Sequence, residues 1–280
     1  MLRIVTDGAA DMPLDWRKKF AIDVIPINIH FGEKVYLQFV DLDNEGFYRM
    51  VDESHKIPKT SQPSPYQFSQ FYKKIAQPGD TILSIHVTSK LSGTFNSAVI
   101  AAQELAGKFN IIPFDSLNGS AGIAFLCREA RRLEGLGESL DEIVAHLQSL
   151  RHNVRVMLTL DTLEYARLNG RVGAIQAVVA SLLNVKPMVL LKEGALEIVE
   201  KVRTRQGSLD RLLEMVKEEI GNRLVDIVIV HARDLQTGKD LMERARQTFN
   251  VRELFLADLS ISVAANLGPG TVGIVFQPLE

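Results

Sequence analysis

Only one cysteine, Cys127, occurs in the 280 residues. That excludes an intrachain disulfide and any zinc site built on cysteine. Together with the lack of a signal-peptide pattern at the start, it points to a reducing, cytoplasmic setting. No surplus of positive charge is present either: 32 Lys and Arg stand against 34 Asp and Glu, a net charge of −2. Gripping nucleic acid by its phosphates needs such a surplus, so nucleic acid is not an expected partner. Long apolar runs are missing too. The longest, from Ala174 to Leu191, is broken by Gln176, Ser181, Asn184, Lys186 and Pro187 and is too polar to span a bilayer.

The usual enzyme signatures are also absent. The chain has no G-x-x-x-x-G-K-[ST], G-x-S-x-G or H-E-x-x-H, and its one G-x-G-x-x-G, Gly268 to Gly273, leads into the last strand rather than from a strand into a helix, which leaves nucleotide, hydrolase and zinc-protease chemistry without support. Six histidines are scattered rather than clustered. His86 and His231 sit in or at the ends of apolar strands, as satisfied structural histidines do, and no spacing supports a Ser-His-Asp triad. No metal site is expected. Asp7 and Asp115 are the only strand-end carboxylates that could hold one, and Asp115 serves equally to tie down a loop.

What is present is a globular composition, 46% hydrophobic and 24% charged, in a chain long enough for two domains. Short apolar strands alternate with amphipathic helices through the first half: Leu2–Thr6, an extended run from 22 to 31 interrupted by Pro26, Thr81–Val87 and Asn110–Phe114. This alternation predicts a mostly parallel sheet with flanking helices over residues 1–153. From 154 the pattern mixes hairpin-like and crossover spacings. Strands are expected at 154–158, 187–191, 196–203, 225–230, 253–257 and 272–276, an α/β domain with a mixed sheet over 154–280. A capping box is expected at Asp161–Glu164, and an all-round apolar helix from Ala174 to Leu183.

Two loops carry the chemical information: Thr60-Ser61-Gln62-Pro63-Ser64, and Leu91-Ser92-Gly93-Thr94-Phe95-Asn96-Ser97. Each follows an extended stretch and places small hydroxyls where a helix begins. Unpaired backbone N–H groups and the positive end of the macrodipole make such a place an anion receptor. The same residues serve as caps: Ser64-Pro65-Tyr66-Gln67 fits a capping box, and Ser92 is placed to cap the following helix. Ligands of parallel sheets sit beyond the strands' carboxyl ends, where Asp7, Ser92 and Asp115 fall. Cationic candidates are Arg171, close to two glycines, and Lys201 and Arg203, which alternate onto one strand face. Gly268-Pro269-Gly270 forms a tight loop before the last strand.

In order and spacing these motifs resemble the DegV family over nearly the whole chain. The family pattern of T-D-S, T-S-Q-P-S, L-S-G-T, D-S, G-R, K-x-R and H-x-G-P-G is met here by Thr6-Asp7-Gly8, Thr60 to Ser64, Leu91 to Thr94, Asp115-Ser116, Gly170-Arg171, Lys201-Val202-Arg203 and Asn266-Leu267-Gly268-Pro269-Gly270. The resemblance implies a non-enzymatic, two-domain carrier of a long-chain fatty acid. It needs no cofactor, touches membranes only transiently for acyl exchange, and presents its ligand to a separate ATP-dependent fatty-acid kinase. By carry-over, Thr60, Ser92, Gly93 and Asn266 hold the carboxylate at the interdomain crevice. Ser61, Thr94, Arg171 and Arg203 are secondary contacts to the anion or the partner. Val178, Val179, Leu182, Leu183 and Met188 are candidates for the acyl tunnel. Two departures stand out: Asn266 replaces the family's usual histidine, and Gly8 its usual serine. The competing class is an α/β phosphotransferase or hydrolase acting on a small anion in the same crevice.

Overall fold

The computed structural model describes residues 1–13, 15–171 and 185–279. Its first sheet is built from β1 (Leu2–Asp7), β2 (Ile22–Ile25), β6 (Thr81–His86) and β7 (Asn110–Asp115), all parallel, in the order β2-β1-β6-β7. The extended run interrupted by Pro26 turns out to be two strands in two sheets. Proline has no N–H to donate to a ladder, so β2 ends before it. The chain then re-forms as β3 (Asn28–Phe31), which pairs antiparallel with β4 (Lys34–Leu37) and β5 (Lys59–Ser61). β5 carries Thr60, so this small sheet delivers the first hydroxyl loop.

Helices α1 (Trp16–Lys19), α2 (Asn44–Ser54), α3 (Pro65–Ile75), α4 (Thr94–Glu104), α5 (Ala121–Gly135) and α6 (Leu140–Leu150) complete this half. Ser64 and Gln67 form the expected capping box of α3, and Ser139 with Glu142 forms that of α6. The first residue of α4 is Thr94 and its cap is Gly93, not Ser92, although Ser92 Oγ accepts from Thr94 N at 3.3 Å.

All strands of the second, six-stranded sheet lie beyond residue 154. β8 (Arg155–Thr159), β9 (Lys186–Lys192), β10 (Ala195–Val202), β11 (Val225–His231), β12 (Val251–Asp258) and β13 (Val272–Pro278) run in the order β10-β9-β8-β13-β11-β12. β11 and β12 are parallel and the other pairings antiparallel, the mixed sheet the spacings predict. The box expected at Asp161–Glu164 does not form. Asp161 is drawn to Lys186, and α7 (Glu164–Asn169) begins with Thr162 Oγ1 accepting from Glu164 N at 3.1 Å. α8 (Arg205–Ile220), α9 (Leu235–Thr248) and the short α10 (Ile261–Leu267) follow.

Period-two alternation sorts this sheet's side chains onto two faces. Met157, Met188, Ile227 and Ile229 pack into a core beneath α8 and α9. Val156, Leu158, Val189, Leu191 and Val228 enter the opposite core, which also holds Ile4, Leu83, Phe125 and Ala124 from the first half. The two halves therefore share one apolar interior. A buried cation reinforces the junction: Arg128 of α5 donates to Asp226 of β11 at 2.5 Å and to Glu253 of β12 at 2.6 Å.

Candidate functional site

At the shared interior a cavity of about 730 Å³, including its open mouth, lies against the face of the six-stranded sheet turned toward the first half. Its walls are apolar: Ile27, Val87, Leu91, Val156, Leu158 and Leu191 contribute. Its polar groups come from separate elements. They are Thr60 of β5, Ser92 of the loop after β6, Ser120 just before α5, Ser262 and Asn266 of α10, and Arg171 after α7. A mostly apolar concavity with a few convergent polar groups is the usual form of a small-molecule site.

Hydrogen bonds fix the polar end. Asn266 Nδ2 donates to the Ser262 backbone carbonyl, one turn earlier in α10, at 2.7 Å, and to Thr60 Oγ1 at 3.2 Å. Ser262 Oγ donates to the Gly8 carbonyl at 3.0 Å. Ser92 Oγ pairs with Thr94 Oγ1 at 2.8 Å. Arg171 Nη1 donates to the Asn169 carbonyl at 2.5 Å. The Asn169 amide in turn donates to the carbonyls of Pro58 and Ala265, holding the segment before β5 against α10.

Behind the cavity wall, Asp11 accepts from Ser120 Oγ at 2.6 Å and from Ser260 N at 2.8 Å. Burial pushes its carboxyl up to about 6, against the opposing pull of those two bonds. Ser120 has φ +53°, a left-handed backbone that non-glycine residues seldom adopt, so its hydroxyl is held in place by the surrounding structure.

A second polar cluster sits at the end of β1. Asp7 accepts from Ala9 N at 2.9 Å, Val87 N at 2.9 Å and His86 Nδ1 at 3.0 Å; His86 Nε2 meets Ser84 Oγ at 2.6 Å, and Ser84 Oγ meets Tyr72 OH at 2.8 Å. All four side chains are buried, and none lines the cavity. The order Asp-His-Ser imitates a hydrolase triad, but the serine is sealed in and bonded to tyrosine, so no substrate reaches it. Its work is to lock the ends of β1 and β6 together. Asp115 likewise binds a loop, accepting from Ser89 N and Leu117 N. Among the described residues no His, Cys, Asp or Glu group is arranged to hold a metal.

Of the residues singled out in the sequence, Thr60, Ser92, Asn266 and Arg171 are brought to one cavity. Gly93 stands beside it with Gln62 packed over it, which joins the two hydroxyl loops. Ser61 Oγ instead bonds His30 Nε2 at 2.8 Å, and Thr94 is buried beneath Ser92. Arg203 is exposed in the turn after β10 and is not among the lining residues. Met188 is set apart: Val189 and Leu191 face the shared interior, so alternation turns Met188 into the opposite core. Val178, Val179, Leu182 and Leu183, with the helix read at 174–183, lie outside the described residues.

Sequence reasoning missed α10 as a helix, and with it Ser262 and Val263; seven residues stopped by the cap Gly268 give too little periodicity to read. It also missed Val156, Leu158 and Leu191, which the period-two pattern of β8 and β9 could have supplied. The Gly8 departure has a physical counterpart. The Gln38 amide fills the place of a side chain at position 8: a Cβ built on Gly8 would lie 1.9 Å from Gln38 Oε1, while Gln38 Nε2 donates to the Gly8 carbonyl at 3.0 Å.

Comparison with known proteins agrees along the full length. A family model described as "Uncharacterised protein, DegV family" matches residues 1–279. A DegV domain-containing protein of Listeria monocytogenes is 33% identical over 270 residues, covering 95% of this chain and 96% of its own. The fatty-acid-binding DegV family protein of Thermus thermophilus superposes with a TM-score of 0.90 at 30% identity, 99% of each chain being covered. DegV of Bacillus subtilis, described as a fatty acid binding protein, gives a TM-score of 0.89 at 28% identity, again over 99% of each chain.

Proposed function

The chain belongs to the DegV family, and from that premise we propose that it carries a long-chain fatty acid without transforming it and presents the carboxyl end to a separate ATP-dependent fatty-acid kinase. The observation that carries this reading is the cavity itself, an apolar slot whose polar end gathers Thr60, Ser92 and Asn266. Each buried methylene contributes about 0.8 kcal/mol, so a long chain supplies on the order of 10 kcal/mol gross. Association and ordering offset several kcal/mol of that. Neutral hydroxyl and amide groups then suffice to orient the head, and they leave a carboxyl oxygen available to an incoming phosphoryl group. The division at 153/154, with the head group in the crevice between the two parts, belongs to this proposal, as do transient membrane contact during acyl exchange and a cytoplasmic setting. Among the described residues, no helix is long and apolar enough to cross a membrane. Arg171 at the cavity and Arg203 outside it are the proposed contacts to the acyl-phosphate product or the kinase.

Mass spectrometry of an organic extract of freshly purified protein tests the carrier reading. A stoichiometric acid of roughly C14–C18 is expected, the size range that the methylene arithmetic favours. A protein that is empty and also refuses added fatty acid overturns it. Phosphorylation of the bound acid by a fatty-acid kinase with ATP tests the presenting role.

A further inference from the structure

The cavity has a polar end and an apolar end, and β8 runs between them. Gly268 and Gly270, which follow α10, pack against Tyr165 and Asp161, and Asn169 of α7 donates to the Ala265 carbonyl. Thr60, Asn266 and Arg171 are therefore gathered beyond Thr159, the last residue of β8. Val156 lies three residues back along that strand, about 10 Å away. Leu191 of β9 stands opposite Val156, and Leu196 of β10 opposite Leu191, so these three cavity residues form one row across the sheet. That row marks the end of the slot farthest from the head-group residues. Beyond it lies a second hollow of about 720 Å³, counted with its open side, where Leu117, Val154 and Leu190 stand beside Arg151, Arg155 and Glu219. Among the described residues, Leu191 alone lines both spaces.

The partition at this point is one side chain thick. Gly119 flanks Leu191 with no side chain of its own, and a Cβ built there would sit 3.8 Å from Leu191 Cδ2. What surrounds the partition is fixed. Asn118 Nδ2 donates to the carbonyls of Ser116 and Arg151 at 3.0 and 2.9 Å, and Arg151 Nη1 donates to the Asp115 carbonyl at 2.9 Å. The turn between β9 and β10 is seated as closely, since a Cβ at Gly194 would lie 2.3 Å from Thr88 Oγ1. A buried leucine held between such walls is a stop and not a flexible gate. We propose that Leu191 is the chain-length stop of this cavity: the terminal methyl of the acyl chain abuts it, and the hollow beyond stays out of reach. The proposal rests on the acyl-binding reading and sharpens it to a length class. Each methylene buried short of the stop adds about fourfold in affinity. One methylene too many must buckle the chain or push Leu191 from its place, so the gain ends abruptly. Trimming Leu191 to alanine removes the branched end of the partition and joins the two spaces, and longer acids then reach Leu117, Val154 and Leu190.

Competition against a fluorescent acyl probe on delipidated protein tests the proposal, with the even saturated acids from dodecanoate to docosanoate. Wild-type affinity should climb with length, break at one length and fall beyond it. Leu191→Ala should move the break to longer acids and raise affinity for the first acid past the wild-type break about tenfold. Leu191→Val keeps more of the packing and should move the break the same way by less, so the test stands even where the alanine variant does not fold. Leu196→Ala is the control, because Leu196 lies in the same row but lines only the cavity. It should weaken all lengths alike and leave the break in place. A length profile unchanged in the Leu191 variants, beside tight wild-type binding, overturns the proposal and leaves the carrier reading standing. So does a wild-type affinity that climbs through docosanoate without a break, or a break that Leu196→Ala moves as far as Leu191→Ala. Wild-type protein that binds none of the acids overturns the carrier reading and the proposal with it.

Discussion

Two polar clusters, one at Asp7 and one at the cavity that Ala9 lines, are built on opposite plans. In the first, the carboxylate receives three donors, its histidine meets a serine and that serine meets a tyrosine, all within a sealed interior. In the second, Thr60, Ser92 and Asn266 come from separate elements to the wall of an open, mostly apolar cavity. A sealed, satisfied network rigidifies, and polar groups gathered at an apolar cavity suit a ligand. The difference separates scaffold from site better than residue type does. By composition alone, Asp-His-Ser-Tyr looks more catalytic than Thr-Ser-Asn.

Breaking the closed cluster should have the largest effect. Asp7→Ala orphans two backbone N–H groups and the His86 ring in a dry interior, and a loss of about 3–5 kcal/mol in urea unfolding is expected. A loss below about 1 kcal/mol would mean that the cluster is not the lock described. Asp11 is intermediate, a buried carboxyl with two donors. Its folded pKa of about 6 lies above the ordinary 3.8, so the folded state holds the proton more tightly. Its contribution to stability thus grows as pH falls through 6 toward 4 and is a cost at neutral pH, on the order of 3 kcal/mol. Asp11→Asn imitates the protonated form. Its stability should exceed wild type near neutral pH and converge with it near pH ~4, and parallel curves at all pH values would contradict the assignment. Opening the ligand cluster further should cost the fold least. Thr60→Ala with Ser92→Ala should weaken acyl binding by about 30-fold, roughly 2 kcal/mol, with the melting of delipidated protein almost unmoved. Unchanged affinity in calorimetric titration would remove both hydroxyls from the head-group site.

The sheet plan of both halves was legible because strand and helix periods differ, and because a short alternating run such as Val156-Met157-Leu158 records which faces are buried. The hairpin of β3 and β4 was not. Its strands are only four residues long, with exposed Lys34 and Val35, so their hydrophobic signal is slight. Thr60, Ser92, Arg171 and Asn266 were legible through motif order, since each lies in or next to a loop or glycine turn whose residues form a recognisable pattern. The choice of donors could not be read that way. That Asn266 gives one N–H to the Ser262 carbonyl and the other to Thr60 depends on a helix the sequence does not announce. Met188 was misplaced for a simpler reason: hydrophobicity says that a strand residue is buried, and only its parity with its neighbours says on which side.

The packing of Gln38 over Gly8 constrains how this chain can change over generations. A side chain at position 8 has room only if the buried Gln38 amide, which donates to the Gly8 carbonyl, shifts from its place. The two positions are therefore coupled by packing. Serine at position 8 beside an unchanged Gln38 costs a repacking of that amide, and a smaller residue at 38 relieves the overpacking.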